Sequence, residues 1–172
     1  MNPKVVWLTG LSGAGKSTIA NSLSLALRCK NLPSTILDGD VLRSGLNCDL
    51  QFSESDRRES VRRTAEVAKI IYDSHITVII ALISPFEIDR QFARGLFKAG
   101  EFIEVFVNTP VELCIKRDIK GLYTKALSGE IGNFTGISSP YETPENPEIT
   151  VDTQMHTLSE ITNLLLDRLK KP

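Results

Sequence analysis

Short apolar stretches alternate with stretches of helical periodicity along most of the chain. Strands are predicted where apolar and β-branched residues cluster, at 5–8, 35–37, 76–83, 102–107 and 149–151. Helices are predicted where apolar residues recur every three or four positions, at 18–28, 54–71, 87–99 and from 158 onward. The stretch 76–83 is apolar except for Thr77, which is typical of a central parallel strand buried on both faces. The alternation predicts one α/β domain over 1–172, with a parallel sheet covered by helices on both faces.

Three helix starts carry capping signals. Ser53 precedes an acidic first turn. Thr109 is followed by Pro110 at the first helical position and by an acidic residue at the third. Thr157 and Glu160 form a capping-box pattern. We therefore expect helices to begin directly after Ser53, Thr109 and Thr157.

The segment 118–147 breaks this alternation. It contains several glycines and prolines together with Lys120, Tyr123, Lys125, Phe134 and Tyr141. A loop of this length in a compact domain is usually functional or disordered, and the aromatic and lysine side chains argue against disorder. We predict a lid with a short helix near Lys125. We expect the lid to make few contacts of its own and to exclude water when it closes over nucleotides.

The stretch from Gly10 to Ser17, GLSGAGKS, matches the phosphate-binding P-loop pattern G-x-x-x-x-G-K-[ST]. A predicted strand precedes it and a predicted helix follows, which favours a P-loop over a chance glycine turn. Lys16 is expected to reach the β- and γ-phosphates of ATP, and the Ser17 hydroxyl to bind Mg²⁺. Backbone amides and the helix dipole add to phosphate binding. The predicted ATP-binding residues here are Gly10, Ser12, Gly13, Ala14, Gly15, Lys16, Ser17 and Thr18.

Asp38 and Asp40 follow the second predicted strand, so they lie at the carboxyl edge of the sheet beside the P-loop. Open α/β sheets bind ligands in that crevice. Two carboxylates there can hold water ligands of Mg²⁺ and orient or deprotonate an attacking hydroxyl. The alternative is a simple turn, since Asp-Gly is a common turn pair. The position beside a P-loop favours the functional interpretation.

Five arginines occur close together, at Arg43, Arg57, Arg58, Arg62 and Arg63. Guanidinium groups can grip phosphate- or sulfate-like oxygens with two hydrogen bonds. The alternative is a solvated helix face on which they pair with acidic residues at helical spacing. Both interpretations can hold, because only some of the arginines can face the crevice.

Composition excludes several classes of function. The 20 Lys+Arg residues balance 21 Asp+Glu residues, so no basic field indicates a nucleic-acid partner. No apolar run reaches the roughly 18 residues of a membrane helix, and no signal peptide is evident. We expect a cytoplasmic protein without a membrane partner. The three cysteines and two histidines lack the spacing of metal ligands.

Further short motifs follow the P-loop in a fixed order. They include LDGD at 37–40, FS at 52–53, DR at 56–57, RR at 62–63, ISP at 83–85, RD at 117–118, KGLY at 120–123, FTGI at 134–137 and PYE at 140–142. This order resembles the adenylylsulfate (APS) kinase family over nearly the whole chain. The P-loop alone is generic to many NTPases, whereas LDGD, KGLY and FTGI in this order are far more specific.

The resemblance implies that the chain uses ATP and Mg²⁺ to phosphorylate the 3′-hydroxyl of APS in sulfate assimilation, giving PAPS and ADP. Lys16, Asp38 and Asp40 would be catalytic, with Asp38 positioning the 3′-hydroxyl and binding Mg²⁺ through water. Arg117 would lie near the donor adenine. Residues matching the family's acceptor site are Asp38, Arg43, Phe52, Arg57, Ser60, Ile83, Ser84, Lys120, Leu122 and Phe134.

Three finer expectations come with the resemblance. Phe52 and Phe134 would sandwich the acceptor adenine between their rings, as suits aromatic π-faces. The serine matching Ser84 can be phosphorylated in bacterial relatives, which suggests a phosphoserine here. Dimers are common in the family, so a homodimer is expected.

Some positions depart from the family pattern. Ser60 replaces the usual Asn that touches the acceptor, Gln51 replaces Gly, and Ile119 replaces Pro. Glu87 and Leu127 stand where basic residues are usual. These departures leave two alternatives open. One is a 3′-kinase for a related nucleoside 5′-conjugate such as a nucleotide phosphoramidate, and the other is a nucleotide-binding module without turnover.

Overall fold

Five parallel strands form the centre of the molecule in a computed structural model that describes residues 2–171. The spatial order of the strands is β2-β3-β1-β4-β5. Val5 of β1 lies opposite Val78 of β3 and Phe102 of β4, which sets the register of the three central strands. The strands are β1 (Val5–Thr9), β2 (Ser34–Asp38), β3 (Thr77–Ala81), β4 (Phe102–Val107) and β5 (Ile149–Val151).

Seven helices are found among the described residues, and the longer ones cover both faces of the sheet. They are α1 (Lys16–Arg28), α2 (Gly39–Ser44), α3 (Glu54–Asp73), α4 (Glu87–Gly95), α5 (Val111–Arg117), α6 (Leu122–Leu127) and α7 (Leu158–Lys170). Val6 and Leu8 pack on the side of α1 and α7, whereas Val5 and Trp7 pack on the side of α3 and α4. This alternation along β1 follows from the two-residue period of a strand. The predicted parallel sheet with helices on both faces is confirmed.

The capping predictions had mixed outcomes. The Ser53 side chain accepts from the Asp56 amide, and Thr157 forms the full capping box with Glu160, so both predictions are confirmed. The Thr109 prediction is wrong, because α5 begins after Pro110 and has no side-chain cap. The Thr109 hydroxyl instead donates to the backbone carbonyl of Ala14 at 2.9 Å. The hydroxyl that the local pattern assigned to a helix cap therefore bonds to a residue that is distant in sequence.

Several element boundaries differ from prediction. Helix α4 ends at Gly95 rather than at 99, and strand β3 is shorter than the predicted 76–83. Helix α2 was not predicted at all. No helix within residues 2–171 is both long and apolar enough to span a membrane.

The segment 118–147 contains the predicted short helix, α6, which includes Lys125. Its contacts differ from expectation, because Tyr123 and Phe134 are buried and belong to the same hydrophobic cluster as β1 and α1. Their rings pack edge to face with centroids 4.9 Å apart. The Glu142 amide also donates to the Pro85 carbonyl at 2.8 Å. The expectation that this segment makes few contacts of its own is therefore wrong.

Candidate active site

The P-loop connects β1 to α1, as predicted. Gly10, Gly13 and Gly15 adopt positive φ angles of 147°, 73° and 109°, which favour glycine. A Cβ atom at Gly10 would lie 2.6 Å from the Val107 carbonyl oxygen, closer than such contacts allow. The glycines of the motif are therefore required by the backbone conformation and by the close approach of β4.

The Lys16 side chain lies folded against the loop that it follows. Its Nζ donates to the carbonyl oxygens of Gly10 at 2.8 Å and Leu11 at 2.7 Å. Burial lowers the pKa of Lys16 to about 8, with nearby charges including Asp38 acting as smaller influences. The ammonium group is thus poised beside the loop, where phosphate oxygens are stronger acceptors than backbone carbonyls.

Asp38 connects the P-loop helix to the second strand. Its Oδ2 accepts from the Ser17 hydroxyl at 2.6 Å, and its Oδ1 accepts from the Asp40 amide at 2.9 Å. The second bond caps α2, so the Asp-Gly pair starts a helix while the same side chain faces the P-loop. The turn interpretation and the functional one are therefore not exclusive.

The carboxylate of Asp40 is paired with the ammonium of Lys120. Both side chains are mostly exposed, so the pair is an exchangeable link between the lid segment and α2 rather than a stabilising core contact. The pairing places the lid lysine of the KGLY motif at the carboxyl edge of the sheet, where the sequence predicts it.

A cavity of about 250 Å³ opens at this edge of the sheet. Its walls combine residues predicted for ATP with residues predicted for the acceptor. Those from the predicted sites are Ser12, Gly13, Gly15, Lys16, Ser17, Thr18, Asp38, Asp40, Arg43, Arg57, Ser60, Ile83, Ser84, Lys120 and Leu122. The fold thus brings most of the predicted residues to one place.

Five predicted residues do not line the cavity, namely Gly10, Ala14, Phe52, Arg117 and Phe134. Ala14 is fully buried, and its amide donates to the Leu11 carbonyl at 3.2 Å inside the loop. The role of Ala14 in ATP binding stays a prediction. Arg117 lies behind the loop, where its guanidinium donates to the Gly13 carbonyl at 3.3 Å.

Arg57 joins the two segments that carry the predicted aromatic sandwich. It is buried, and its guanidinium donates to the Phe52 carbonyl at 3.1 Å and to the Asn133 carbonyl, next to Phe134, at 2.6 Å. Desolvation lowers the pKa of Arg57, and the nearby Arg43 charge lowers it further. Arg57 therefore acts on the site through these segments in addition to lining the cavity.

The aromatic sandwich itself is not formed in this structure. The Phe52 ring is 45% exposed and carries the Arg43 guanidinium 4.3 Å from its centroid. Phe134 is buried against Tyr123. Each ring therefore contacts a different protein group, and the two rings do not face each other.

The remaining arginines follow the alternative interpretation. Arg58 pairs with Glu54, and Arg62 and Arg63 both pair with Glu59 on the exposed surface of α3. The arginine cluster is thus divided, since Arg43 and Arg57 line the cavity and the other three form a solvated face.

Ser84 lies in the loop after β3 with a positive φ of 40°. Its hydroxyl accepts from the Trp7 indole at 3.0 Å and is buried in the core. Arg90, fully buried on α4, donates to the Ser84 carbonyl at 2.7 Å and pairs with Glu104 at 2.9 Å. Ser84 also lines the cavity, and a phosphoserine at this position stays a prediction.

Ser60 is buried at the wall of the cavity. Its hydroxyl accepts from the Asn47 side-chain amide at 2.9 Å, while the Asn47 Oδ1 atom is buried without a hydrogen-bond partner among the described residues. Ser60 therefore forms a serine–amide pair beside residues that are predicted to bind the acceptor.

Sequence reasoning missed three residues that shape the site, Asn47, Arg90 and Thr109. All three are buried polar side chains that bond to residues outside their own helix or loop, and the partner of Thr109 is also far away along the chain. Local patterns carry no signal for such partners. Of the three, only the burial of Arg90, close to the ISP motif, could have been suspected, because its place in the amphipathic pattern of α4 puts it on the apolar face.

Comparison with known proteins decides the family. Residues 2–152 match the family model described as adenylylsulphate kinase. The chain is 52% identical to an adenylyl-sulfate kinase of Marinobacter nauticus over 98% of this chain and 85% of that protein. The chain belongs to the adenylylsulphate kinase family. The family that the motif order indicated is confirmed.

A solved structure of a family member agrees closely in fold. The Mycobacterium tuberculosis APS kinase CysC, in complex with AMPPNP and APS, superposes with a TM-score of 0.94 at 44% identity, covering 99% of both chains. The bifunctional enzyme NodQ of Rhizobium meliloti is 54% identical over 92% of this chain, which spans 25% of that enzyme's length. The chain thus matches relatives of about its own length and also one part of longer enzymes.

Proposed function

We propose that this chain transfers the γ-phosphoryl group of ATP to the 3′-hydroxyl of APS, giving PAPS and ADP in sulfate assimilation. The observation that carries the proposal is that one cavity is lined both by Lys16 and Ser17 and by Arg43 and Arg57. Asp38 also lines it, in contact with Ser17. Family membership and the fold shared with an APS-bound kinase support the same reaction.

The donor half of the cavity is suited to a triphosphate. Lys16 would exchange its bonds to loop carbonyls for bonds to the β- and γ-phosphates, which neutralise its buried charge. The loop amides would bind the remaining phosphate oxygens. Arg117, on the outer side of the loop, would lie near the donor adenine.

The residues present fit Mg²⁺. The Ser17 hydroxyl and the Asp38 carboxylate are hard oxygen ligands only 2.6 Å apart. In the part of the chain that the structure describes, no three His, Cys, Asp or Glu side chains are grouped to hold a metal by themselves. That suits Mg²⁺ bound mainly by nucleotide phosphates, with Ser17 as direct ligand and Asp38 acting through water. When bound, the ion would supply charge neutralisation at the phosphates.

In the transfer step, the acceptor 3′-oxygen forms a bond to the γ-phosphorus while the bond from that phosphorus to the β–γ bridging oxygen breaks. Asp38 would orient the 3′-hydroxyl and take up its proton, and Asp40 would support it from the next turn. Lys120 would leave Asp40 and contact the acceptor when the lid closes. Positioning and electrostatic stabilisation supply most of the catalysis in such reactions.

The acceptor half would bind APS through charge and stacking. Arg43 and Arg57 would face its anionic groups, and Ile83, Ser84 and Leu122 would line the nucleoside. Phe52 would release Arg43 so that the adenine can stack between Phe52 and Phe134. This sandwich is an expectation for the bound state and requires rearrangement of the Arg43–Phe52 contact.

An acceptor screen tests the proposal. ADP formation is measured with ATP alone, with ATP plus APS, and with ATP plus an adenosine 5′-phosphoramidate. We expect turnover to require APS and kcat/KM to be highest for it. A higher kcat/KM for the phosphoramidate would mean that it, rather than APS, is the acceptor. Absence of any acceptor-dependent turnover would favour the nucleotide-binding module without turnover.

The Ser60→Asn variant makes the screen sharper. Asn offers two donors and an acceptor where Ser offers one hydroxyl on a shorter arm. One added neutral hydrogen bond is worth about 0.5–1.5 kcal/mol, or roughly threefold to tenfold in affinity. We expect KM for APS to fall by that factor with KM for ATP unchanged. Loss of activity on the preferred acceptor would mean that Ser60 is adapted to a different substrate.

The proposal extends to the oligomeric state and the cellular location of the protein. We expect a homodimer and a cytoplasmic enzyme, as the family resemblance implies. Light scattering of the purified chain at micromolar concentration measures the first directly, and a monomer mass would reject it.

A further inference from the structure

Side chains from outside the P-loop hold its carbonyl groups. The Tyr123 hydroxyl, on α6, donates to the Ser12 carbonyl at 2.9 Å. The Thr109 hydroxyl, after β4, donates to the Ala14 carbonyl at 2.9 Å. Neither residue belongs to the P-loop motif, and the two lie on separate segments.

These bonds fix the direction of the amides that follow. In a trans peptide, a carbonyl and the next N–H point in opposite directions. A carbonyl held outward at Ser12 directs the Gly13 N–H inward, and one held at Ala14 directs the Gly15 N–H inward. Within residues 2–171, neither glycine amide donates to another backbone group outside helices and strands.

The cavity wall includes both glycines. Gly13 and Gly15 line the cavity together with Ser12 and Tyr123, whereas Ala14, between the two glycines, is fully buried and does not. The Ala14 amide is used inside the loop, on the Leu11 carbonyl. Two amides separated by one residue therefore remain available for phosphate oxygens.

We propose that Tyr123 and Thr109 are positioning residues for ATP, which hold the Ser12 and Ala14 carbonyls outward so that the Gly13 and Gly15 amides face the phosphates. The proposal deepens the proposed function, on whose use of ATP it rests. The two residues act through the loop backbone rather than on the nucleotide.

The side chains of Tyr123 and Thr109 are themselves held in place by neighbouring residues. Thr109 is buried, and its hydroxyl lies 2.7 Å from that of Thr153, which also receives a bond from Arg117 at 3.2 Å. Tyr123 is 1% exposed and packs against Phe134. The donor site is therefore tied to α6, so the order of the lid segment and the geometry of the P-loop depend on each other.

The test is the affinity for Mg·ADP, measured by calorimetry on the purified full chain. Tyr123→Phe and Thr109→Val each remove one hydroxyl at nearly constant volume. We expect each to weaken Mg·ADP binding by about threefold to tenfold, the worth of one neutral hydrogen bond. Thr109→Ser keeps the hydroxyl and should bind like wild type.

Two matched variants remove equivalent hydroxyls elsewhere. Tyr72→Phe alters a tyrosine packed against Phe97 on the other face of the sheet, and Thr162→Val alters a buried threonine that donates to the Leu158 carbonyl on α7. We expect both to bind Mg·ADP within twofold of wild type. Thermal unfolding of all five variants separates loss of stability from loss of affinity.

The binding results either support or overturn the proposal. The proposal stands if Tyr123→Phe and Thr109→Val lose affinity while Thr109→Ser and the matched variants do not. It is overturned if the first two stay within twofold of wild type, or if the matched variants or Thr109→Ser lose as much. Since no acceptor is present, wild-type binding of Mg·ADP keeps this result separate from failure of the APS reaction.

Discussion

At the scale of single residues, the candidate site consists of polar groups whose partners we expect to change when nucleotides bind. Lys16 contacts loop carbonyls, Asp38 contacts Ser17, and Asp40 contacts Lys120. The motif pattern identified all five residues, because each has a fixed place relative to a glycine or a strand end. It could not identify Thr109, since nothing near that residue in sequence reveals that its hydroxyl reaches Ala14.

The two aspartates should differ in function. Asp38→Asn keeps the side-chain shape but loses the charge that orients the hydroxyl and Mg²⁺, so we expect kcat to fall about a hundredfold or more. KM for ATP should change much less. Asp40→Asn, on an exposed residue, should cost less in kcat. Steady-state kinetics of both variants would contradict these roles if Asp40→Asn were the more damaging.

The lowered pKa of Lys16 predicts a pH dependence of nucleotide affinity. Lys16 in the ligand-free protein loses its proton near pH 8 because it is buried. A bound phosphate favours the charged form, so binding above pH 8 requires uptake of a proton. We expect the affinity of the wild-type protein for Mg·ADP to fall as pH rises above about 8. The affinity of Lys16→Met should depend less on pH. Equal slopes for the two proteins in calorimetry would reject this explanation.

The lowered pKa of Lys16 also makes folding stability depend on pH. Between pH 8 and the ordinary lysine pKa, the unfolded chain binds the Lys16 proton more tightly than the folded chain does. The contribution of Lys16 to folding stability therefore becomes more favourable as pH rises through that window.

At the scale of elements, the long helices and all five strands followed from hydrophobic periodicity, whereas the short helix α2 did not. Helix α2 has only six residues and is started by the Asp38 side chain, so it lacks the repeated apolar pattern that predicts a helix. The predicted end of α4 was too late, because Phe97 packs against Tyr72 and Phe102 without helical structure. Tertiary packing decides such ends, and a single sequence does not contain it.

The segment 118–147 should divide into two parts in hydrogen exchange. Residues 133–142 are anchored, since Arg57 holds the Asn133 carbonyl and the Glu142 amide bonds to Pro85. We expect slow exchange there with or without ligands. Residues 127–132 are largely exposed, so their amides should exchange fast alone and slowly with Mg·ADP and APS bound. Uniform exchange across 118–147 in either state would contradict a lid of this form.

At the scale of the whole molecule, strand order creates the site. Strand β1 lies between β3 and β4. The chain runs from β1 to β2 and β3 on one side and then crosses to β4 on the other, so the carboxyl ends of the strands leave a crevice between the connecting loops. The P-loop enters from β1, the Asp38 region from β2 and the Ser84 loop from β3. Sequence patterns predicted the strands, but strand order had to come from packing.

The central claim is that this cavity transfers a phosphoryl group from ATP held by Lys16. The most direct measurement is PAPS formation by wild type and Lys16→Ala at saturating ATP and APS, with thermal unfolding recorded for both. We predict that Lys16→Ala forms PAPS at least about a hundredfold more slowly, because phosphoryl transfer depends on charge neutralisation and positioning, while its unfolding temperature stays close to wild type. A Lys16→Ala protein with near wild-type kcat would contradict the assignment of the P-loop as the donor site.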